Sequence, residues 1–251
     1  MISRRRRTRW ADAPLVLALW LLVAPVHGAG AQTIADHLAA CKDDGADTQS
    51  RIQACTRVIS QAKDDEDILT EGLLQRGVLL ELAGDKEAAI GDYSEVIKLD
   101  PSSAVAYFNR GNVHDQLGEH ERAIADYTEA IKLDPTDSDV FNNRGQAYDS
   151  KGEPDLAIAD YSQSIRLDRE NARAFFNRGL AYANKGEYER AVGDFNEAIK
   201  PDPRDAEAYV SRGAVHEELG NEAAARADYR KALAIVPDHD DAKDALARLG
   251  N

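Results

Sequence analysis

Apolar and small side chains along this chain recur with a helical period nested inside a longer one. Over residues 104–137, Tyr107, Gly111 and His114 fall at i, i+4 and i+7, one face of a first helix. Gly118 can take the left-handed conformation that ends such a helix. Ala123, Tyr127, Ala130 and Ile131 form the apolar face of a second helix, which Pro135 cannot continue. The same set returns every 34 residues: Gly77, Gly111, Gly145, Gly179 and Gly213; Gly84, Gly118, Gly152, Gly186 and Gly220; Ala89, Ala123, Ala157, Ala191 and Ala225; Tyr93, Tyr127, Tyr161, Phe195 and Tyr229. Pro101, Pro135, Pro203 and Pro237 close four units, and Arg169 stands in that place in the remaining one. Five units therefore run 70–103, 104–137, 138–171, 172–205 and 206–239. The small residues let the two helices of a unit approach closely. Each hairpin leaves an apolar face that only a neighbour can cover, so the pattern predicts an all-α chain, an α-solenoid of stacked antiparallel hairpins without a central core.

The flanks carry weaker versions of the same pattern. Ile34, Leu38 and Cys41 share one helical face, and Ile52, Cys55, Val58 and Ile59 another. Residues 32–69 thus read as an atypical capping hairpin whose second helix aligns with 90–97 at an offset of 38 residues, which sets Cys55 where the units carry their large aromatic. Residues 240–251 read as a terminal capping helix, with Ala242, Leu246 and Leu249 inward, Gly250 beyond its end and a polar outer face.

The units resemble the tetratricopeptide repeat family. The family's large residue at unit position 4 is matched by Leu73, Tyr107, Phe141, Phe175 and Tyr209; its Gly at 8, Ala at 20, aromatic at 24 and Pro at 32 are the recurrent residues above; position 27 holds Val96, Ala130, Ser164, Ala198 and Ala232. The resemblance implies a right-handed superhelix with a concave groove faced by positions 2, 6, 9 and 13 of each first helix. It identifies no partner, because the fold serves many.

Composition and charge narrow the partner. The chain has 251 residues, 31 basic and 45 acidic side chains and a formal net charge of −14, a poor match to phosphate-rich nucleic acid. Arg4, Arg5, Arg6, Arg7 and Arg9, the apolar run Ala13 to Val26 and the small-residue site Ala29-Gly30-Ala31 describe a secretory leader over 1–31, cleaved before Gln32. The apolar run, at about 1.5 Å per residue, is short of the roughly 30 Å of a bilayer core, so no membrane insertion is expected after cleavage. These features predict a periplasmic protein. Beyond the leader the charge is uneven: residues 32–171 carry −15 and residues 172–251 only −3.

Position 6 of the units reads Gln75, Asn109, Asn143, Asn177 and Ser211, a row of donors and acceptors suited to the backbone of an extended peptide. Two interpretations of this row stand open: peptide binding, and hydrogen bonding between adjacent helices. Around it lie Phe108, Asn112, Phe176 and Leu180 at positions 5 and 9, with Asp115, Asp139 and Asp149 among the acidic walls and Arg173 the lone basic residue. An apolar floor between acidic walls favours a protein or peptide with a basic, partly apolar segment; the alternative for the same residues is a solvated surface. Family members that clamp acidic tails use Lys and Asn at positions 5 and 9; the absence of Lys there disfavours such ligands.

Arg at position 7 and Asp at position 23 recur in equal register, which predicts structural ion pairs Arg110 with Asp126, Arg144 with Asp160 and Arg178 with Asp194, with Arg76–Asp92 and Arg212–Asp228 at the ends. Cys41 and Cys55, 14 residues apart on the two helices of the first hairpin, suit a disulfide in an oxidising compartment, with two inert buried thiols as the alternative. His114 and His216 occupy a packing position, and Asp238-His239-Asp240-Asp241 reads as the start of the last helix. No catalytic motif, phosphate-binding glycine loop or His-x-x-x-His metal pair occurs, so no enzyme, metal or cofactor is expected. The reading that results is a monomeric, exported interaction scaffold; a structural subunit of a cell-envelope assembly is the alternative.

Overall fold

The computed structural model describes residues 33–250; the leader read over 1–31 lies outside them. Among the described residues every regular element is a helix: α1 Ile34–Lys42, α2 Thr48–Gln61, α3 Glu66–Leu82, α4 Lys86–Leu99, α5 Ala104–Gln116, α6 His120–Leu133, α7 Ser138–Ser150, α8 Pro154–Leu167, α9 Ala172–Asn184, α10 Tyr188–Ile199, α11 Ala206–Glu218, α12 Glu222–Ile235 and α13 Asp240–Leu249. Each helix packs mainly on its chain neighbours, and α3, α5, α7, α9 and α11 touch in series along one side. This is the expected α-solenoid, with α1 and α2 as the first hairpin and α13 closing the last.

Local chemistry sets each break. Between α5 and α6 the Gly118 N–H donates to the Asp115 carbonyl at 2.9 Å and the Glu119 N–H to the His114 carbonyl at 2.9 Å, with Gly118 at φ +76°, a left-handed cap that satisfies the last carbonyls of the helix. The turns between units depend on aspartate as well as proline. Asp134 accepts from the Thr136 N–H at 2.9 Å, and Asp168 accepts from the Glu170 N–H at 2.9 Å in the unit where Arg169 replaces proline. Pro201 takes the place of the closing leucine in the fourth unit, and α10 ends at Ile199.

One boundary differs from the repeat register. The helix of the first unit, α3, has 17 residues where α5 has 13, and starts at Glu66 rather than at residue 70. Asp65 caps it, accepting from the Ile68 N–H at 3.1 Å, and Glu66 and Asp67 favour its positive end. No proline precedes it to hold the start at the repeat boundary.

The core is a row of large aromatics on small residues. Tyr93, Tyr127, Tyr161, Phe195 and Tyr229 are at most 1% exposed. The close approach explains the glycine of each first helix: a Cβ on Gly145 would stand 2.7 Å from Cε1 of Tyr161, inside contact distance.

Arginine pins link three helices at a time. Arg144 donates from Nε and Nη2 to the Asp160 carboxylate at 2.7 and 2.8 Å, and from Nη1 to Thr128 Oγ1 of the preceding unit at 3.1 Å. Arg110 and Arg178 repeat this on Asp126 with Ser94 and on Asp194 with Ser162. The predicted structural pairs are therefore present, and each also ties its unit to the one before. Arg76 carries the device into the terminal hairpin, donating to Asp92 and to Thr56 Oγ1 at 3.1 Å. Thr56 precedes Ser94 by 38 residues, the offset read from the sequence. In that hairpin Cys41 and Cys55 are joined by a disulfide and both are fully buried.

Candidate functional site

The first helices align their position 6 and position 12 side chains along the inner side of the stack. Asn143 donates from Nδ2 to Asn112 Oδ1 at 2.9 Å, across from α7 to α5, and accepts from Asn142 Nδ2 at 3.2 Å. Asn177 donates to Asn142 Oδ1 at 3.0 Å, across from α9 to α7. Asn142 is fully buried, so this flanking position is a structural joint. The amide row thus does part of what the second interpretation requires, holding adjacent helices in register at α5–α7 and α7–α9. Each engaged amide retains a second N–H or a lone pair. Gln75, Asn109 and Ser211 are half-buried and make no such bond among the described residues.

Two groove aromatics are less open than their positions suggest. Phe108 and Phe176 are half-buried, packed on Tyr127 and Phe195 of their own hairpins at ring separations of 6.1 and 5.6 Å. Leu180, at the other apolar position, is exposed.

The carboxylates converge. Glu81, Asp115 and Asp149 occupy position 12 of the first three units and are half-buried. A polar recess of about 280 Å³ opens beside Glu81 and Asp115, with Asn112, Asn143, Gln146 and Arg173 around it. Asp115 bonds the His120 ring at 2.7 Å, and Glu81 accepts from Gln116 Nε2 at 2.7 Å. The Tyr161 hydroxyl donates to Asp149 at 3.0 Å, and the Tyr127 hydroxyl to Asn112 at 2.8 Å. Burial pushes the Asp149 carboxyl above its ordinary range. Removal from water on the core side raises the Tyr127 and Tyr161 hydroxyls as well, with Asp115 and Asp149 adding to it. Asp139 is exposed on the groove wall and pairs with Arg173 at 3.2 Å, which accounts for the lone basic residue.

The sequence did not show the far end of the groove. Between α9, α11 and α13 lies an apolar cavity of about 410 Å³, lined by Leu180, Ala183, Val210, Ala214 and Ala245, with Asp241 and Asp244 among the residues at its edge. The last helix buries Ala242 and Ala245 and packs Leu246 and Leu249 on the α11–α12 core, as expected. Its remaining face was read as plain polar surface; it instead borders this cavity. The signal was the pair of small residues Ala183 and Ala214, which leave room where other units carry larger side chains.

Comparison with known proteins agrees with this geometry. Sequence profiles described as tetratricopeptide repeat match residues 104–137, and residues 142–206 with 185–240; one described as TPR repeat matches 82–118. Human tetratricopeptide repeat protein 6 is 46% identical over 44 residues, 18% of this chain and 8% of that protein, so the chain matches only a small part of this relative. Among solved structures, YrrB, described as a TPR protein with an unusual peptide-binding site, is 26% identical with a TM-score of 0.65, covering 78% of this chain and 99% of its own. MamA is 26% identical with a TM-score of 0.62, covering 71% and 94%. The Cut9–Hcn1 complex, at 19% identity and a TM-score of 0.68 over 87% of this chain and 43% of its own, shares the fold.

Proposed function

Since the chain belongs to the tetratricopeptide repeat family, we propose that it is a protein-binding scaffold whose inner face takes an extended segment rich in basic residues. The observation that carries this is the row Glu81, Asp115 and Asp149, one half-buried carboxylate per unit, the first two beside a polar recess. Packed helix axes lie about 8–10 Å apart, and an extended chain of polyproline II form advances about 3.1 Å per residue with three residues per turn, so every third side chain returns to one face. A basic side chain at roughly every third position would meet successive carboxylates. The amide of Asn143 borders the same recess and suits the ligand backbone. The peptide-binding description of YrrB, similar over most of this chain, supports a groove ligand. The basic leader and the terminal disulfide favour export, with cleavage before Gln32 and a periplasmic location.

A peptide of three Lys-Ala-Ala units, titrated against the full chain, tests the reading. Joint replacement Glu81→Gln, Asp115→Asn and Asp149→Asn is expected to weaken binding tenfold or more and to flatten its dependence on salt. Acidification should weaken wild-type binding as well. The Asp149 charge is present above its raised pKa and is lost as pH falls through it, so the loss begins at a higher pH than for an ordinary carboxylate. Equal affinity of the triple variant and the wild type would refute the assignment.

A further inference from the structure

We infer that the cavity between α9, α11 and α13 is an anchor site for one bulky apolar side chain of the bound segment, and that the terminal helix is part of the binding surface as well as a cap. The inference rests on the proposed groove function. Its first support is the change in the row of position 12 side chains. Glu81, Asp115 and Asp149 give way to Ala183 in the fourth unit, where the wall of the cavity begins. A ligand leaving the carboxylates therefore passes from a charged to an apolar lining. At about 410 Å³ the cavity falls within the size range of sites that bind small apolar groups. Leu180 on its wall is 36% exposed, an apolar surface that a ligand would cover.

The second support is charge. Asp241 and Asp244 at the edge of the cavity have no ion-pair partner among the described residues, whereas Arg248 pairs with Glu217 at 3.3 Å. The edge is thus left acidic, and a cationic residue next to the apolar one is complementary to it. From Asp149 to the cavity is one to two units of the stack, which an extended chain spans in about three to six residues. The structure therefore selects a segment with basic residues every third position, followed after that interval by an aromatic or large aliphatic residue with a basic neighbour.

Two peptides test this on the full chain by calorimetric titration: three Lys-Ala-Ala units followed by Ala-Phe-Lys, and the same peptide with Ala in place of Phe. The Phe peptide is expected to bind about tenfold tighter or more, the size of burying one such side chain. Ala214 is exposed on α11, so Ala214→Trp fills the cavity from the solvent side. That variant should lose the preference for Phe and keep the affinity for the Ala peptide. Should its helical circular dichroism fall below wild type, Leu180→Asp serves as the second variant, with the same expected loss of preference. Equal binding of the two peptides to the wild type, or a preference that survives both substitutions, overturns the anchor site and leaves the groove function standing. Binding of neither peptide overturns both.

Discussion

Replacing Arg144 with Met should destabilise the protein by about 3–5 kcal/mol, close to the loss expected for breaking a buried ion pair. Asp160 is 7% exposed and receives two of the arginine's hydrogen bonds. Without Arg144 its carboxylate keeps its charge but loses the opposing one and both donors, in a place that water reaches poorly. Thr128 on the preceding unit loses its link at the same time. The double replacement Arg144→Met with Asp160→Leu removes both charges and fills the space, so it should recover most of the loss; such exchanges are frequently neutral or stabilising. Urea denaturation of the wild type, both single variants and the double variant measures the coupling. Single variants within about 1 kcal/mol of wild type would show that the pins add little.

Loss of the disulfide is the second large effect. Replacing Cys41 and Cys55 together by Ser removes a cross-link closing a loop of about 15 residues, for which the chain-entropy model gives about 3 kcal/mol. Two hydroxyls are also placed among fully buried apolar neighbours, including Ala54 and Leu79. The damage should be local. The first hairpin has a neighbour on one side only, and in a stack of repeats stability is carried by adjacent interfaces. Hydrogen exchange should therefore rise by about two orders of magnitude over α1 and α2, while α7 to α12 remain as protected as in the wild type. Uniform loss of protection along the whole chain would contradict that picture. Under the proposed export and cleavage before Gln32, the intact mass without reduction should correspond to residues 32–251 less two hydrogens.

The repeat register made much of this structure legible. Gly145 over Tyr161 and Arg144 with Asp160 follow from equal spacing, because identical local chemistry recurs at each unit; Thr56 aligns with Ser94 at the separate offset of 38 residues. The start of α3 at Glu66 was not legible, since nothing in the spacing shows that a helix lacking a preceding proline extends backward to Asp65. The joint role of Asn142 was hidden for another reason. Its burial depends on how α7 lies between α5 and α9, which spacing alone does not give. The apolar cavity was the least accessible. The period ends at residue 239, so no register says which side of α13 faces Leu180 and Ala214. The acidic row at position 12 was visible as composition, while the raised Asp149 carboxyl required knowing how deep it sits.

The inner face of the first three units is expected to hold a basic, extended segment. Backbone amide shifts of the isotopically labelled full chain, followed while the Lys-Ala-Ala peptide is added, test it residue by residue. Shifts are expected along α3, α5 and α7 around Glu81, Asn109, Asp115, Asn143 and Asp149, with the outer faces of α4, α6 and α8 unmoved. Shifts confined to those outer helices, or none at saturating peptide, would contradict it.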